Sequence, residues 1–392
     1  MIKKLSYILF VAIVVASCTM KKTDETNNEG TVNDSIASMG ELYMLVGTYT
    51  SQEGSKGIYI YKFDTDTGRS DSVSMVEVAN PSYVAISPDE KFVYSVGENG
   101  KDDSFAHSFS FDKKSGQLTL LNSQLTNGSS PAYITLDAQG HNVFTANYGG
   151  GSISQFNIHT DGTLSALTNL FEFEGKGEDS IRQQQPHLHS VRYSPDGMHM
   201  FATDLGTDRI YRYKSVNSVF EGQPALLKSD TSIFATPAGT GPRHFDFHPS
   251  GLYFYLLGEL SGEIIVYDYN MGDLKQKQRI LVDTIGARGS ADIHVSPNGR
   301  FLYASNRLKA DGIGVFAIDA EDGTLTKVGY QLTAKHPRNF AITPNGKFLL
   351  VAGRDDNVIQ VYSIDKETGL LTNTRQDIAI DKPVCIVFTH FN

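Results

Sequence analysis

One pattern recurs along this chain from residue 41 to its end with a period of about fifty residues, and it constrains the fold more than any other feature. Each copy opens on a short alternating apolar run, usually behind a proline, and then turns at a Pro-Asp-Gly type sequence. A second apolar run follows, then a third carrying Tyr or Phe, and the copy closes at an Asp-x-x-x-Gly-x-Leu turn. The openings are Pro81–Pro88, Pro131–Leu136, Leu188–Val191, Pro242–Phe245, Ala291–Val295, Pro337–Phe340 and Pro383–Ile386, seven in all. The turn prolines Pro88, Pro195, Pro249, Pro297 and Pro344 are separated by 107, 54, 48 and 47 residues. The first interval spans two copies, because Ala138 takes the place of the proline in the second. Closing turns such as Asp161-Gly162-Thr163-Leu164 and Asp322-Gly323-Thr324-Leu325 supply the Asp and Gly that reversals require. Strand-length runs without helical spacing predict an all-β fold: a seven-bladed β-propeller with four-stranded antiparallel blades.

The last copy, opening at Pro383, is too short to complete itself, and Leu42–Gly47 is a strand with no opening ahead of it. The two termini are therefore expected to share one blade and close the ring, which removes the exposed sheet edges. An open solenoid would need capping repeats, and the chain shows none.

Residues 1–17 read as a lipoprotein signal peptide. Lys3 and Lys4 precede an apolar run, Leu5 to Val15, that is too short to cross a bilayer. Val15-Ala16-Ser17-Cys18 resembles a bacterial lipobox, which implies cleavage before Cys18 and lipid on its thiol. Residues 18–40 form a polar tether with almost nothing apolar to offset the entropy of ordering it. Residues 41–392 form the propeller. The expected location is extracytoplasmic, at the periplasmic face or the outer membrane, with the lipid as the only membrane contact. With Cys18 lipidated, Cys385 has no partner, which excludes a disulfide framework and a Cys-based metal site; Cys385 reads as a buried small hydrophobe. A formal net charge of −10 argues against nucleic-acid binding. A monomer is expected.

An internal repeat is its own reference. Just before the innermost strand the copies read Ser82, Ala132, His189, Arg243, Ala291, Arg338 and Val384, followed by Tyr83, Tyr133, Ser190, His244, Asp292, Asn339 and Cys385. The third to sixth copies carry charged and polar groups where the framework takes small or apolar ones. Ten residues beyond the turn proline the copies read Glu98, Tyr148, Leu205, Glu259, Arg307 and Arg354. A hairpin returns to the edge it left, so Arg243 and Glu259 are expected to meet at one mouth of the central channel. By ring symmetry His189, Asp292, Arg307 and Arg338 are expected to converge there too. Three arginines against Glu259 and Asp292 leave surplus positive charge within an acidic chain, which points to a small anionic ligand. Ion pairs that merely plug the channel are the alternative.

The strings Gly241-Pro242-Arg243-His244, Gly258-Glu259-Leu260, Ala291-Asp292-Ile293-His294, Ser305-Asn306-Arg307 and His336-Pro337-Arg338-Asn339-Phe340 resemble the propeller-type 6-phosphogluconolactonase family. That family also includes fungal enzymes that cyclise carboxymuconate to a lactone. Gly47-Thr48-Tyr49-Thr50 and Asn147-Tyr148 fit it as well, and the resemblance covers residues 41–392. It implies His189, Arg243, Glu259 and Arg307 as catalytic residues. His187 is the rival base, since alternate strand residues share a face. His187, His244, Asp292, Asn306 and Arg338 are the expected substrate-binding positions.

The residues suit opening of a small anionic sugar lactone. An imidazole can take a proton from water, and a guanidinium can stabilise the oxyanion that develops. A second arginine can hold a phosphate or carboxylate. The chain has no serine nucleophile elbow, HExxH or CxxC, so acyl-enzyme and zinc mechanisms lack support, and no cofactor is expected. Glu259, Asp292 and Asn306 could ligate calcium on paper, but the adjacent arginines oppose a dication. A lactone-forming cycloisomerase and a non-catalytic carbohydrate- or protein-binding propeller remain as alternatives. The export signal departs from a family whose lactonase acts on a cytoplasmic sugar phosphate, so an unphosphorylated or differently charged lactone is open.

Overall fold

The computed structural model describes residues 40–216 and 225–389; the signal peptide, Cys18 and all but the last residue of the tether lie outside the described residues. Among the described residues no helix is long and apolar enough to cross a membrane. The chain forms the seven four-stranded antiparallel sheets expected from its repeat.

Blade one runs from its inner strand outward through Val84–Ile86, Phe92–Gly97, Phe105–Asp112 and Gln117–Leu125. Blades two to six begin at the inner strands Pro131–Leu136, Leu188–Tyr193, Pro242–Phe247, Ser290–Val295 and Pro337–Ile342. In blade six the outer strand is interrupted, so that Leu371–Asn373 and Ile378–Ala379 pair in turn with Val358–Ile364. Blade seven joins the two ends of the chain. Its inner strand, Pro383–Phe388, pairs with Glu41–Thr48, placing Met44 opposite Phe388 and Val46 opposite Ile386. Gly57–Asp64 and Ser70–Glu77 complete it.

Apolar content falls from the second strand outward, and this gradient sets the layers. Tyr253–Gly258, Phe301–Asn306 and Phe348–Gly353 are buried at every position, because neighbouring blades cover both of their faces. The outer strand Asp273–Leu281 alternates between exposed and half-buried positions, as a solvent-facing strand does. The core accordingly lies between blades. Tyr255, Leu257, Ile264 and Val266 of blade four pack on Ile293, Leu302, Ala304 and Phe316 of blade five. Met44, Val46 and Phe63 of blade seven pack likewise on Leu350, Ala352 and Ile359 of blade six.

The turn chemistry repeats with the blades. Ser194, Ser296 and Thr343 donate through their hydroxyls to Asp196, Asn298 and Asn345 at 2.5, 2.7 and 2.8 Å. Gly197, Gly299 and Gly346 then take φ values of 69°, 72° and 69°, which favour glycine. The buried hydroxyls of Tyr94, Tyr255 and Tyr303 donate to the carbonyls of Gly162, Gly323 and Gly369 in the next blade's closing turn, at 3.0, 2.9 and 2.9 Å. Cys385 is buried in the inner strand of blade seven, and burial pushes its thiol up to about 12.

Candidate functional site

The inner strands of blades two to six slip register where they enter the channel. His189, Arg243 and Arg338 are each skipped between paired neighbours, as is Ala132 in blade two, while blade five skips both Ala291 and Asp292. A bulge of this kind re-aims its unpaired side chain. At the other end of the same hairpins, the amides of Tyr148, Leu205, Glu259 and Arg307 donate to the carbonyls of Ser130, His187, Gly241 and Gly289. Those bonds measure 3.0, 3.0, 2.8 and 3.1 Å, so strand-one entry and strand-two exit share one face of the ring, as expected.

Glu259 is the hub of this mouth. Its Oε2 accepts from Arg243 Nε at 2.9 Å and pairs with Arg307 Nη2 at 3.2 Å, while its Oε1 accepts from Arg182 Nη2 at 2.6 Å. Burial pushes the carboxyl up, but Arg307, Arg243 and Arg182 outweigh burial and bring it down to about 2. Burial, followed by Arg307 and Arg338, weakens the hold of Arg243 on its proton, and Glu259 opposes that drift. The guanidinium remains a cation, since an arginine does not titrate in the working range. Arg307 is engaged through all three nitrogens: Nε to Gly289 O, Nη1 against His336 Nε2 and Nη2 to Glu259. Arg243 also donates through Nη1 to Ala291 O, and its Nη2 makes no hydrogen bond to another described residue.

Arg338 reaches the same mouth from blade six. Its Nη2 pairs with Glu98 Oε2 at 3.4 Å, its guanidinium lies over the Tyr49 ring, and the Tyr49 hydroxyl donates to Glu98 Oε2 at 2.9 Å. Four arginines thus face two carboxylates, in a chain whose net charge is −10.

The two histidines of blade three share one aromatic wall. His187 stacks on Tyr148 at 4.4 Å, with its Nδ1 2.8 Å from the Tyr148 carbonyl oxygen. His189 meets the same ring edge-on at 5.5 Å and lies 5.0 Å from the His244 ring. His189 is buried and its Nδ1 has no hydrogen-bond partner. Burial, then the charges of Arg243, His244 and Arg338, hold its imidazole well below the usual histidine value, so it is neutral near pH 7.

Two residues stand apart from that cluster. Asp292 was expected at the mouth by ring symmetry, but its bulged segment turns it toward the neighbouring inner strands. Its Oδ1 accepts from His244 Nδ1 at 2.7 Å, and its Oδ2 from His294 Nε2 at 3.1 Å and Asn339 Nδ2 at 2.6 Å. Burial raises the Asp292 carboxyl, yet His294 and His244 keep it well below the usual carboxylate range. Asn306 accepts from the Ser290 hydroxyl at 2.6 Å and lines a flank cavity with Lys309, Lys327 and Tyr330. Among the described residues no group of three or more His, Cys, Asp or Glu side chains is placed to hold a metal ion.

Residues 43–388 match the family described as "Lactonase, 7-bladed beta-propeller". The chain belongs to that lactonase family. A 6-phosphogluconolactonase of Formosa agariphila is 37% identical over 344 residues, 86% of this chain and 97% of the relative. One of Bacillus subtilis is 36% identical, covering 88% and 97%. Among solved structures, the periplasmic gluconolactonase of Pseudomonas aeruginosa superposes with a TM-score of 0.83 at 31% identity, covering 89% of this chain and 99% of that one. A Bacteroides fragilis protein reaches 0.87 at 51% identity, covering 89% and 98%.

Within this lactonase propeller, the residue at the mouth that the repeat could not reveal is Arg182. It lies on the connection 173–187 between blades two and three, which is too long to align residue by residue with those of the other copies. Its length was the available signal: the corresponding connections 78–83, 126–130, 236–241, 282–289 and 333–336 are all shorter.

Proposed function

We propose that this chain is a hydrolase that opens a sugar δ-lactone at the mouth of the central channel. The observation that carries the reading is a neutral buried imidazole, His189, set beside an arginine–carboxylate cluster with surplus positive charge. In this reading His189 takes a proton from an attacking water as the water oxygen bonds to the lactone carbonyl carbon. The Arg243 Nη2, without a hydrogen-bond partner among the described residues, stabilises the oxyanion that forms. The ring C–O bond then breaks, and the proton held by His189 passes to the departing ring oxygen to give the hydroxy acid. Glu259 holds Arg243 and Arg307 in place and, at about 2, is ionised throughout. His189 is preferred to His187 because its unpartnered Nδ1 and buried ring lie beside His244 and the arginines. The names of the Formosa agariphila, Bacillus subtilis and Pseudomonas aeruginosa relatives support a lactone substrate. Export and lipid attachment at Cys18 would place the activity outside the cytoplasm, in keeping with a Pseudomonas aeruginosa relative described as periplasmic.

The test follows acid release from 6-phosphoglucono-δ-lactone and glucono-δ-lactone, with the spontaneous rate subtracted. Wild type should accelerate at least one of them, and Arg243→Ala should lose about 100-fold or more of that rate. Failure of wild type on both lactones would remove the reading.

A further inference from the structure

The connection that carries Arg182 is built to hold it over the mouth. Gln183 is fully buried; its Nε2 donates to Leu205 O at 2.8 Å and its Oε1 accepts from the Asp179 amide at 3.0 Å. Asp179 Oδ1 accepts from the amides of Ile181 and Arg182 at 2.9 Å each, and its Oδ2 is gripped by Arg288 from the connection between blades four and five. Gln185 ties the far end to the Gly149 carbonyl at 3.0 Å. The segment therefore spans the mouth, fastened on both sides.

Arg182 differs from the other two arginines on Glu259. Its side chain is 36% exposed, against 1% for Arg243 and 7% for Arg307. It alone uses Oε1, and the charge of Glu259 is already met by two guanidinium groups on Oε2. Its Nη2 bonds both Glu259 and the Tyr148 hydroxyl, the latter at 3.2 Å, whereas Nε and Nη1 make no hydrogen bond to another described residue. The free N–H donors of a guanidinium suit the oxygens of a phosphate or carboxylate. Arg182 holds Oε1 of Glu259 and Arg243 holds Oε2, so the carboxylate separates the two guanidinium groups.

We propose that Arg182 is a specificity-determining residue whose free Nη1 donors receive an anionic group at the end of the lactone remote from its carbonyl. The proposal rests on the lactonase reading. Its test compares three lactones: 6-phosphogluconolactone, with a terminal phosphate; glucarolactone, with a terminal carboxylate; and neutral gluconolactone. Wild type should prefer an anionic lactone. In Arg182→Ala its kcat/KM should fall about 10- to 100-fold further than that of gluconolactone, mainly through KM. Arg182→Lys should recover part of the loss, since it restores the charge without the planar fork. Asp179→Asn, which loosens the segment, should move the same ratio in the same direction by less. The anionic lactone that suffers identifies phosphate or carboxylate as the group read. Equal losses on all three lactones, with the fold intact by circular dichroism, would make Arg182 structural and overturn the proposal. So would a wild type that turns over gluconolactone as well as either anionic lactone. Turnover of none of the three would instead remove the lactonase reading together with this one.

Discussion

A buried imidazole surrounded by arginines is a base that resists protonation, and His189 is in that position. The active form in the proposed reaction is the neutral ring, and kcat/KM reports the free enzyme. Because burial and the arginine charges lower the His189 pKa, the ring stays neutral as pH falls through 6.5. The acid limb of kcat/KM should therefore lie below 6.5, and Arg338→Gln, which removes one opposing cation, should shift it upward. A pH–rate profile that already falls above 6.5 would remove His189 as the titrating base. At this scale the sequence exposed which positions departed from the repeat, including His189, Arg243, Glu259, Arg307 and Arg338. It could not reveal that every nitrogen of Arg307 has a partner while Arg243 Nη2 has no hydrogen bond among the described residues, because that depends on the backbone carbonyls of Gly289 and Ala291.

The blade is the next scale, and its turns carry much of the order. Gly323 closes a turn at φ 72°, and a Cβ there would come within 2.4 Å of the Tyr253 ring in the preceding blade. Gly323→Ala should cost roughly 2 kcal/mol, combining left-handed backbone strain with overpacking. Denaturant titration checks this, and an unchanged midpoint would show that the Tyr253 side chain yields freely. The Asp-Gly turns were legible as turns from composition. The register slips at His189, Arg243 and Arg338 were not, because a bulge adds one unpaired residue without any marking residue type. Asp292 turned toward its neighbouring inner strands for the same reason, since the slip in blade five spans two residues.

Over the whole molecule, stability depends on closing the ring. Pro383–Phe388 is the inner strand of a blade whose other three strands come from the amino end, and Cys385 and Ile386 are buried there. A chain truncated after Lys382 would leave the edge of Glu41–Thr48 unpaired and the blade-six face against it open. It should lose the cooperative unfolding transition of the full-length protein or be recovered only as aggregate. A truncated chain with the full-length thermal midpoint would show that closure contributes little.

The sequence by itself determined the number of blades, their order and the sharing of the last one, because each follows from a period and from what is missing at the ends. It also marked where charge replaces the apolar framework, since seven copies of one unit expose the exceptions. Only the tertiary structure decided which charges meet. Arg182 lies 77 residues from Glu259 and on a segment too long to align with those of the other copies, so neither spacing nor internal comparison could join them. Contacts of that kind are set by how a loop crosses the mouth of a closed ring, which local sequence does not encode.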